Sequence, residues 1–545
     1  MHLSRKLHTH NVEPALQRPL IKIPDRMNAA SDFVDANVEA GRGSEVAIHY
    51  VPDASTHTYD DVLTDVNRAG NALRGLGLDI EQRVMLLLLD GPDFVRSFFG
   101  AIKIGAVPVP TNTLFVADDY EYLLNDSRAP VLIVSAPLLN LIEPIRARLH
   151  HLRHLVVAPG ADGSAPELPA ASASVAVHSL AELCAAASPH LDAEERSKDD
   201  PCFWLYSSGT TGFPKGAVHL QHDMLVCAET YARHVLAISS ADVTFSVAKL
   251  FFAYGLGNAL YFPFRVGAAT VLDPRRPEPA AVFDVLQRYR PSLFYSVPTG
   301  YANLLAYPDA PASEALTSLR LCVSAGEALP AALYERWQQR YGQEILDGIG
   351  STEVLHTFIT NRPGAVKPGS SGQLVPGYEA RIVDDDGKAV RAGEVGDLLI
   401  KGDSTCAFYW NRPEQTKATI EGAWIRTGDK YFVDGDEYYW YRGRSDDLLK
   451  VGGIWVSPFE VEAALVAHEA VLEAAVVGAE DEARLLKPKA FVVLRAGAAA
   501  SDDLAEELKE FVKATIAPYK YPRWVEFIDE LPKTATGKIQ RYRLR

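Results

Sequence analysis

Residues 206–216 read YSSGTTGFPKG. Two serines, two threonines, three glycines and Lys215 follow the apolar run Phe203-Trp204-Leu205. Glycines let backbone N–H groups approach an anion, the hydroxyls add donors, and the lysine adds charge. The composition is that of a phosphate cradle between a strand and a helix-like stretch. A Walker A loop needs GxxxxGK followed by Ser or Thr. Here Gly209 and Gly212 stand too close and Gly216 follows the lysine, so that reading fails on spacing. A flexible turn of small residues is the plain structural alternative.

Outward from this loop, apolar runs alternate with helical patterns. Strands are expected at residues 83–89, 130–135, 154–158, 269–272 and 319–324, and helices at 59–76 and 280–289. Such alternation predicts α/β layers with largely parallel sheets. The Ala-, Pro-, Ser- and Gly-rich residues 158–177 read as a surface excursion. From residue 396 to 441 short strands and turns dominate, and Asp434-Gly435-Asp436 reads as a hairpin turn. Beyond Asp446 a compact unit of about 100 residues follows, with helices at 457–467 and 502–516 and strands at 472–478 and 489–494.

The chain has 545 residues and a formal net charge of -16. That length predicts several domains. The charge disfavours a nucleic-acid binder, since no excess of Lys and Arg is present. The apolar run at residues 84–89 falls far short of the roughly 20 residues of a membrane span. The N-terminus has positive charge without an apolar segment after it, unlike a secretory signal. Cys184, Cys202, Cys227, Cys322 and Cys406 have neither CxxC nor metal-ligand spacing, so reduced thiols and a cytoplasmic location are expected.

The loop resembles the signature of the acyl-adenylate-forming superfamily, and other stretches follow in that family's order. They are Ser324-Ala325-Gly326-Glu327-Ala328-Leu329-Pro330, Asp347-Gly348-Ile349-Gly350-Ser351-Thr352-Glu353, Thr427-Gly428-Asp429, Gly443-Arg444-Ser445-Asp446-Asp447 and Pro532-Lys533-Thr534-Ala535-Thr536-Gly537-Lys538-Ile539. The resemblance implies ATP, Mg²⁺ and coenzyme A as reaction partners. It implies a large, multi-subdomain N-terminal ATP- and acid-binding domain over residues 1–445, with a small β-barrel-like part. A small mobile α+β domain over residues 446–545 would carry the catalytic lysine.

Carried over residue by residue, the resemblance gives Thr352 the α-phosphate and Glu353 the Mg²⁺. Ser207, Ser208, Gly209, Thr210, Thr211 and Lys215 would hold the β- and γ-phosphates. Gly326, Glu327, Asp347, Gly348 and Ile349 would border the adenine. Ile349 replaces an aromatic residue common in relatives, so apolar contact would substitute for stacking there. Asp429 would accept from the ribose hydroxyls, assisted by Arg444. Lys538 would bridge the acid carboxylate and the α-phosphate, and Asp446 occupies the hinge position. Gly452 and Gly453 would let pantetheine pass, with Lys520 and Arg523 near the coenzyme A phosphates.

Residues 248–257 (AKLFFAYGLG), 298–301 (PTGY) and 348–356 (GIGSTEVLH) resemble the benzoate and 4-hydroxybenzoate CoA ligase branch. The implied pocket is Phe252, Ala253, Tyr254, Ala325, Gly350 and His356, a flat slot for one ring. His356 and Tyr254 are its polar candidates for reading ring substituents. The implied partners are an aromatic acid, ATP and coenzyme A, without nucleic acid or membrane, and the chain would be a monomer or homodimer. Loading of a carrier-protein phosphopantetheine is an alternative, and a non-catalytic aryl-acid or acyl-nucleotide sensor is a more remote one.

Overall fold

The computed structural model describes residues 19–161, 163–207, 214–444, 449–451, 454–481, 485–533 and 539–544. Strands Arg83–Leu87 and Val131–Ser135 consist almost wholly of buried aliphatic residues. Continuous apolar strands suit the interior of a parallel sheet, where both faces are covered. They form the centre of a five-stranded parallel sheet ordered Val107–Pro110, Arg83–Leu87, Val131–Ser135, His154–Ala158, Ala176–Ser179. The expected surface excursion joins its last two strands, and most of its described residues are exposed.

A second sheet has nine strands. Its order is Gln373–Leu374, Thr357–Thr360, Ile345–Gly350, Leu321–Ser324, Leu293–Ser296, Val243–Ser246, Ala269–Leu272, Val46–Tyr50, Thr56–Thr58. The six strands from Ile345–Gly350 to Val46–Tyr50 pair in parallel, and the outer strands are antiparallel.

Helices cover these sheets. Tyr59–Gly75 starts at a capping box, in which Thr58 Oγ1 accepts from Asp61 N and Asp61 Oδ2 accepts from Thr58 N. It meets helix Pro92–Lys103 where Gly70 faces Gly100. A Cβ on Gly100 would lie 2.8 Å from Gly70 N, so the close approach requires glycine.

Two smaller antiparallel sheets complete the large body. One comprises Pro201–Ser207, Lys215–Leu220 and Phe408–Tyr409. The other has five strands, includes the Trp424–Val433/Tyr439–Arg444 hairpin and is open, with no pairing among the described residues that closes it into the expected barrel-like part. The residues after the phosphate-loop motif are therefore a strand, Lys215–Leu220, and not the expected helix. That strand pairs with Pro201–Ser207 on one side and Phe408–Tyr409 on the other, which outweighs the weak local pattern.

Near the C-terminus, helices Pro458–Ala467 and Asp502–Thr515 pack on strands Val471–Glu480, Leu486–Leu494 and Trp524–Phe527. Val461, Leu465, Val476, Val492, Leu508 and Val512 make a core of their own. All five cysteines are buried thiols without disulfides. Among the described residues no helix is long and apolar enough to cross a membrane.

Candidate active site

In open α/β sheets, ligands bind beyond the carboxyl ends of the parallel strands. Ser324 and Asp347 are neighbours at those ends of the nine-stranded sheet. Ala325, Gly326 and Glu327 follow the first strand, and residues 350–357 follow the second. Gly326 adopts φ +96°, a conformation glycine tolerates.

Residues 350–357 turn the chain back on itself, since Gly350 pairs with Thr357 on the returning strand. A Cβ on Gly350 would lie 2.7 Å from the His356 carbonyl oxygen, so only glycine fits this crossing. Ser351 caps the short helical turn Thr352–Val354 by accepting from Val354 N at 3.2 Å. Leu355 then takes φ +71°, ψ -46°, an unfavourable conformation for a branched side chain. Such strain persists only where surrounding contacts over-determine it.

Those contacts are three hydrogen bonds to successive carbonyls. His219 Nε2 meets Thr352 O at 2.8 Å, Cys406 N donates to Glu353 O at 2.7 Å, and Ser404 Oγ donates to Val354 O at 2.9 Å. The turn carries Thr352 and Glu353 toward the phosphate-loop hairpin and His356 toward the apolar interior.

On the polar side, Glu353 Oε1 accepts from Ser207 Oγ at 3.0 Å and from Tyr409 Oη at 2.8 Å. Ser207 pairs with Lys215 across the hairpin, and Lys215 Nζ stands 4.5 Å from the Tyr409 ring centroid. Burial and the neighbouring Glu353 push the Tyr409 hydroxyl well above its usual range, so it stays a donor. Ser207, Lys215 and Glu353 thus come together around Tyr409, which the motifs did not single out. Ser208, Gly209, Thr210 and Thr211 lie outside the described residues.

On strand Ile345–Gly350, which leads into the turn, Asp347 Oδ2 accepts from Leu329 N at 3.2 Å. Burial raises the Asp347 carboxyl to about 8, so it is mostly protonated at neutral pH. Gly348 has no room for a Cβ, which would stand 2.8 Å from Ile359 O. Ile349 packs against the main core. Glu327 Oε1 accepts from Ile539 N at 2.8 Å and so links the residues after strand Leu321–Ser324 to the C-terminal segment. Asp429 and Arg444 face each other across their hairpin, with Arg444 Nη1 3.1 Å from Asp429 Oδ1.

On the apolar side, the helical stretch through Ala253–Leu256, Gly257–Tyr261 and Phe262–Val266 widens to a π-turn at its middle. Such insertions are frequent at functional sites. Phe252 caps its start and Tyr254 lies in its first turn. The His356 ring packs between Tyr231, Tyr254 and Phe262, with centroids 5.5, 5.6 and 4.5 Å away. Its Nε2 donates to Tyr254 O at 3.2 Å, since a carbonyl only accepts, which makes Nδ1 the acceptor nitrogen. Burial lowers His356 to about 3, so the ring is neutral at physiological pH. The Tyr254 hydroxyl is within reach of Ser296 O and Val323 O at 3.3 and 3.4 Å. Ala325 is buried alongside.

The residues expected to serve coenzyme A lie in the C-terminal segment, apart from the groups above. Lys520 Nζ donates to both Glu460 oxygens at 2.6 and 2.7 Å, and the Arg523 guanidinium sits 3.6 Å over the Tyr521 ring. Lys538, Asp446, Gly452 and Gly453 lie outside the described residues.

The turn after one strand of the α/β sheet thus meets a separate antiparallel hairpin, and Ser207, Lys215, Tyr409 and Glu353 cluster where they join. Residues 35–410 match the family model for AMP-binding enzymes, and residues 460–538 match the C-terminal domain model of the same enzymes. The chain belongs to the AMP-binding enzyme family. It is 55% identical over 529 residues to a benzoate–CoA ligase of Thauera aromatica, covering 97% of both chains. It is 47% identical over 519 residues to a 4-hydroxybenzoate–CoA/benzoate–CoA ligase of Rhodopseudomonas palustris, covering 95% of this chain and 94% of that one. Among solved structures it is similar to an anthranilate CoA ligase in complex with anthranoyl-AMP. The TM-score is 0.90 at 46% identity, covering 96% of this chain and 97% of that one. A benzoate CoA ligase from Burkholderia xenovorans matches with a TM-score of 0.87 at 46% identity, covering 95% of this chain and all of that one.

Proposed function

We propose that this chain is an AMP-forming ligase that converts benzoate, or a benzoate bearing a small substituent, to its coenzyme A thioester through an aryl-adenylate. The observation that carries the reading is the turn at residues 350–357. It sets the polar pair Thr352–Glu353 and the buried aromatic surroundings of His356 on opposite sides of one crossing. The relatives' ligase names agree with this reading.

The acid carboxylate attacks the α-phosphorus of ATP, and pyrophosphate leaves. The nucleophile is already ionised, so no general base is needed. Catalysis is positioning and electrostatic stabilisation of charge on the phosphoryl oxygens. Thr352 donates to the α-phosphate, and the hairpin loop with Ser207 and Lys215 holds the leaving pyrophosphate. Glu353 suits Mg²⁺, which binds through one or two carboxylates and substrate phosphates; both of its described hydrogen bonds end on Oε1. The ion would neutralise phosphate charge. Asp429 takes the ribose, oriented by Arg444.

Lys538 bridges the acid and the α-phosphate, neutralising both. The link from Ile539 to Glu327 supports this, because it brings the residue after Lys538 to the adenine stretch. In the second half-reaction the thiol of coenzyme A attacks the acyl carbon and AMP departs. Residues 446–545 act as the mobile domain, turning about Asp446 to exchange Lys538 for the thiol passage at Gly452 and Gly453. Lys520 and Arg523 lie toward the coenzyme A phosphates, and Lys520 must then leave Glu460. The setting is the cytoplasm.

The test is AMP release with ATP, Mg²⁺ and coenzyme A across a panel of aromatic and aliphatic acids. Fastest turnover is expected on benzoate or a singly substituted benzoate. Fastest turnover on hexanoate or a longer acid overturns the assignment.

A further inference from the structure

His219 and Asp223 belong to none of the motifs that carry the resemblance, yet both are wholly buried beside the site. His219 lies on strand Lys215–Leu220, with its ring stacked on Phe203 at a centroid distance of 5.2 Å. Its Nδ1 is 2.8 Å from Asp223 Oδ2, and that oxygen also accepts from Leu220 N at 3.1 Å. Its Nε2 is 2.8 Å from Thr352 O. A carbonyl can only accept, so Nε2 carries a hydrogen. The contact with Asp223 fixes the ring plane, as carboxylate partners of histidine do at metal and catalytic sites.

We infer that His219 is a positioning residue for adenylation, whose Nε2–H holds the Thr352 carbonyl and thereby sets the Thr352–Glu353 pair against the phosphates. The inference rests on the site reading proposed above. Thr352 O also accepts from Leu355 N at 3.2 Å, the bond that closes the turn onto the positive-φ residue. A strained turn relaxes when a restraint is removed. The carbonyls of Glu353 and Val354 keep their own partners at Cys406 and Ser404, so release at Thr352 moves one end of the pair. A displacement of about 1 Å in such a constellation costs on the order of a hundredfold in rate.

The two ends of the imidazole can be removed separately. His219→Asn keeps an amide near Nδ1 and so keeps Asp223, but it loses Thr352. His219→Gln reaches the Nε2 position and keeps Thr352, but it loses Asp223. The variants are compared by ATP–pyrophosphate exchange, by thioester formation from supplied benzoyl-adenylate, and by thermal unfolding. Expected is an inversion. The Asn variant is the slower in exchange, by about tenfold or more, while the Gln variant is the less stable, because buried Asp223 loses its shortest partner and keeps only Leu220 N at 3.1 Å and His222 Nε2 at 3.4 Å. Thioester formation should separate the two much less than exchange. The same ranking in exchange and stability overturns the inference. If neither variant folds, Asp223→Asn serves, because it leaves Nε2–H on Thr352: near-native exchange supports the inference and a loss of about tenfold or more overturns it. Glu353→Gln is run alongside. If it loses exchange while Asn and Gln do not differ, the His219 inference alone falls. If its exchange is unaltered, the site reading falls and the inference with it.

Discussion

Glu353 and His356 are three residues apart in the chain and are held by opposite physics. Glu353 is fixed by hydrogen bonds: two on its carboxylate and one on its carbonyl. His356 is fixed by packing among aromatic rings and makes one described hydrogen bond, to Tyr254 O. Burial keeps His356 neutral. The difference follows from what each side must do. On the proposed reading, transferring an adenylyl group requires oriented charge. Holding a planar ring requires shape and the exclusion of water. The positive-φ Leu355 lets one short turn face both environments.

The comparison breaks most visibly at Glu353. Glu353→Gln retains the size and loses the charge that Ser207 and Tyr409 address. A loss of about a hundredfold or more in ATP–pyrophosphate exchange is expected, with little change in thermal stability. An unaltered exchange rate would show that the polar half of the turn is only structural. Gly257→Ala attacks the other half. Its Cβ would stand 2.4 Å from His356 Cδ2 and 2.7 Å from Nε2, so the ring must shift. Overpacking of this kind costs about 1–3 kcal/mol. The KM for the acid should rise more than the KM for ATP. An equal rise in both would mean that the two halves are not separable. Tyr409→Phe is gentler. It keeps the ring under Lys215 and removes one donor to Glu353. A hydrogen bond to a charged group contributes about 1.5–3 kcal/mol; Ser207 Oγ still holds Glu353, so exchange should fall toward the lower end of that range, roughly tenfold, less than for Glu353→Gln.

Sequence and structure agree where local chemistry decides the outcome. Helix Tyr59–Gly75 was legible because Thr58 and Asp61 form a capping box ahead of an amphipathic run. Thr352, Glu353, Asp429 and Arg444 were legible through the family's motifs; the structure places the first two in the turn after strand Ile345–Gly350 and pairs the other two across a hairpin. The strand Lys215–Leu220 was misread as helical because its pairing partners lie elsewhere in the chain. Tyr409 and His219 were missed for the same reason: their partners Glu353 and Thr352 are 56 and 133 residues away. Leu355 gave no signal either, since nothing in a leucine announces a positive φ. Lys520 was read as a cation for phosphate, and its pairing with Glu460, 60 residues distant, emerges only on folding.

The mildest test concerns Asp347, on the strand that leads into the turn, a carboxyl that burial has made almost apolar in behaviour. Its value rises from 3.8 to about 8 on folding, with desolvation the main cause and the bond from Leu329 N opposing it. The folded chain therefore holds a proton that the unfolded chain releases. Stability from this group is fully present below about pH 4, declines as pH rises toward 8, and changes no further above that. Asp347→Asn is neutral throughout and keeps an oxygen for Leu329 N. Its melting temperature relative to the parent chain should climb between pH 5 and 8 and then level off. A difference independent of pH would mean that Asp347 is ionised in the folded chain. In that case the charged part of the site extends back along strand Ile345–Gly350 to Asp347.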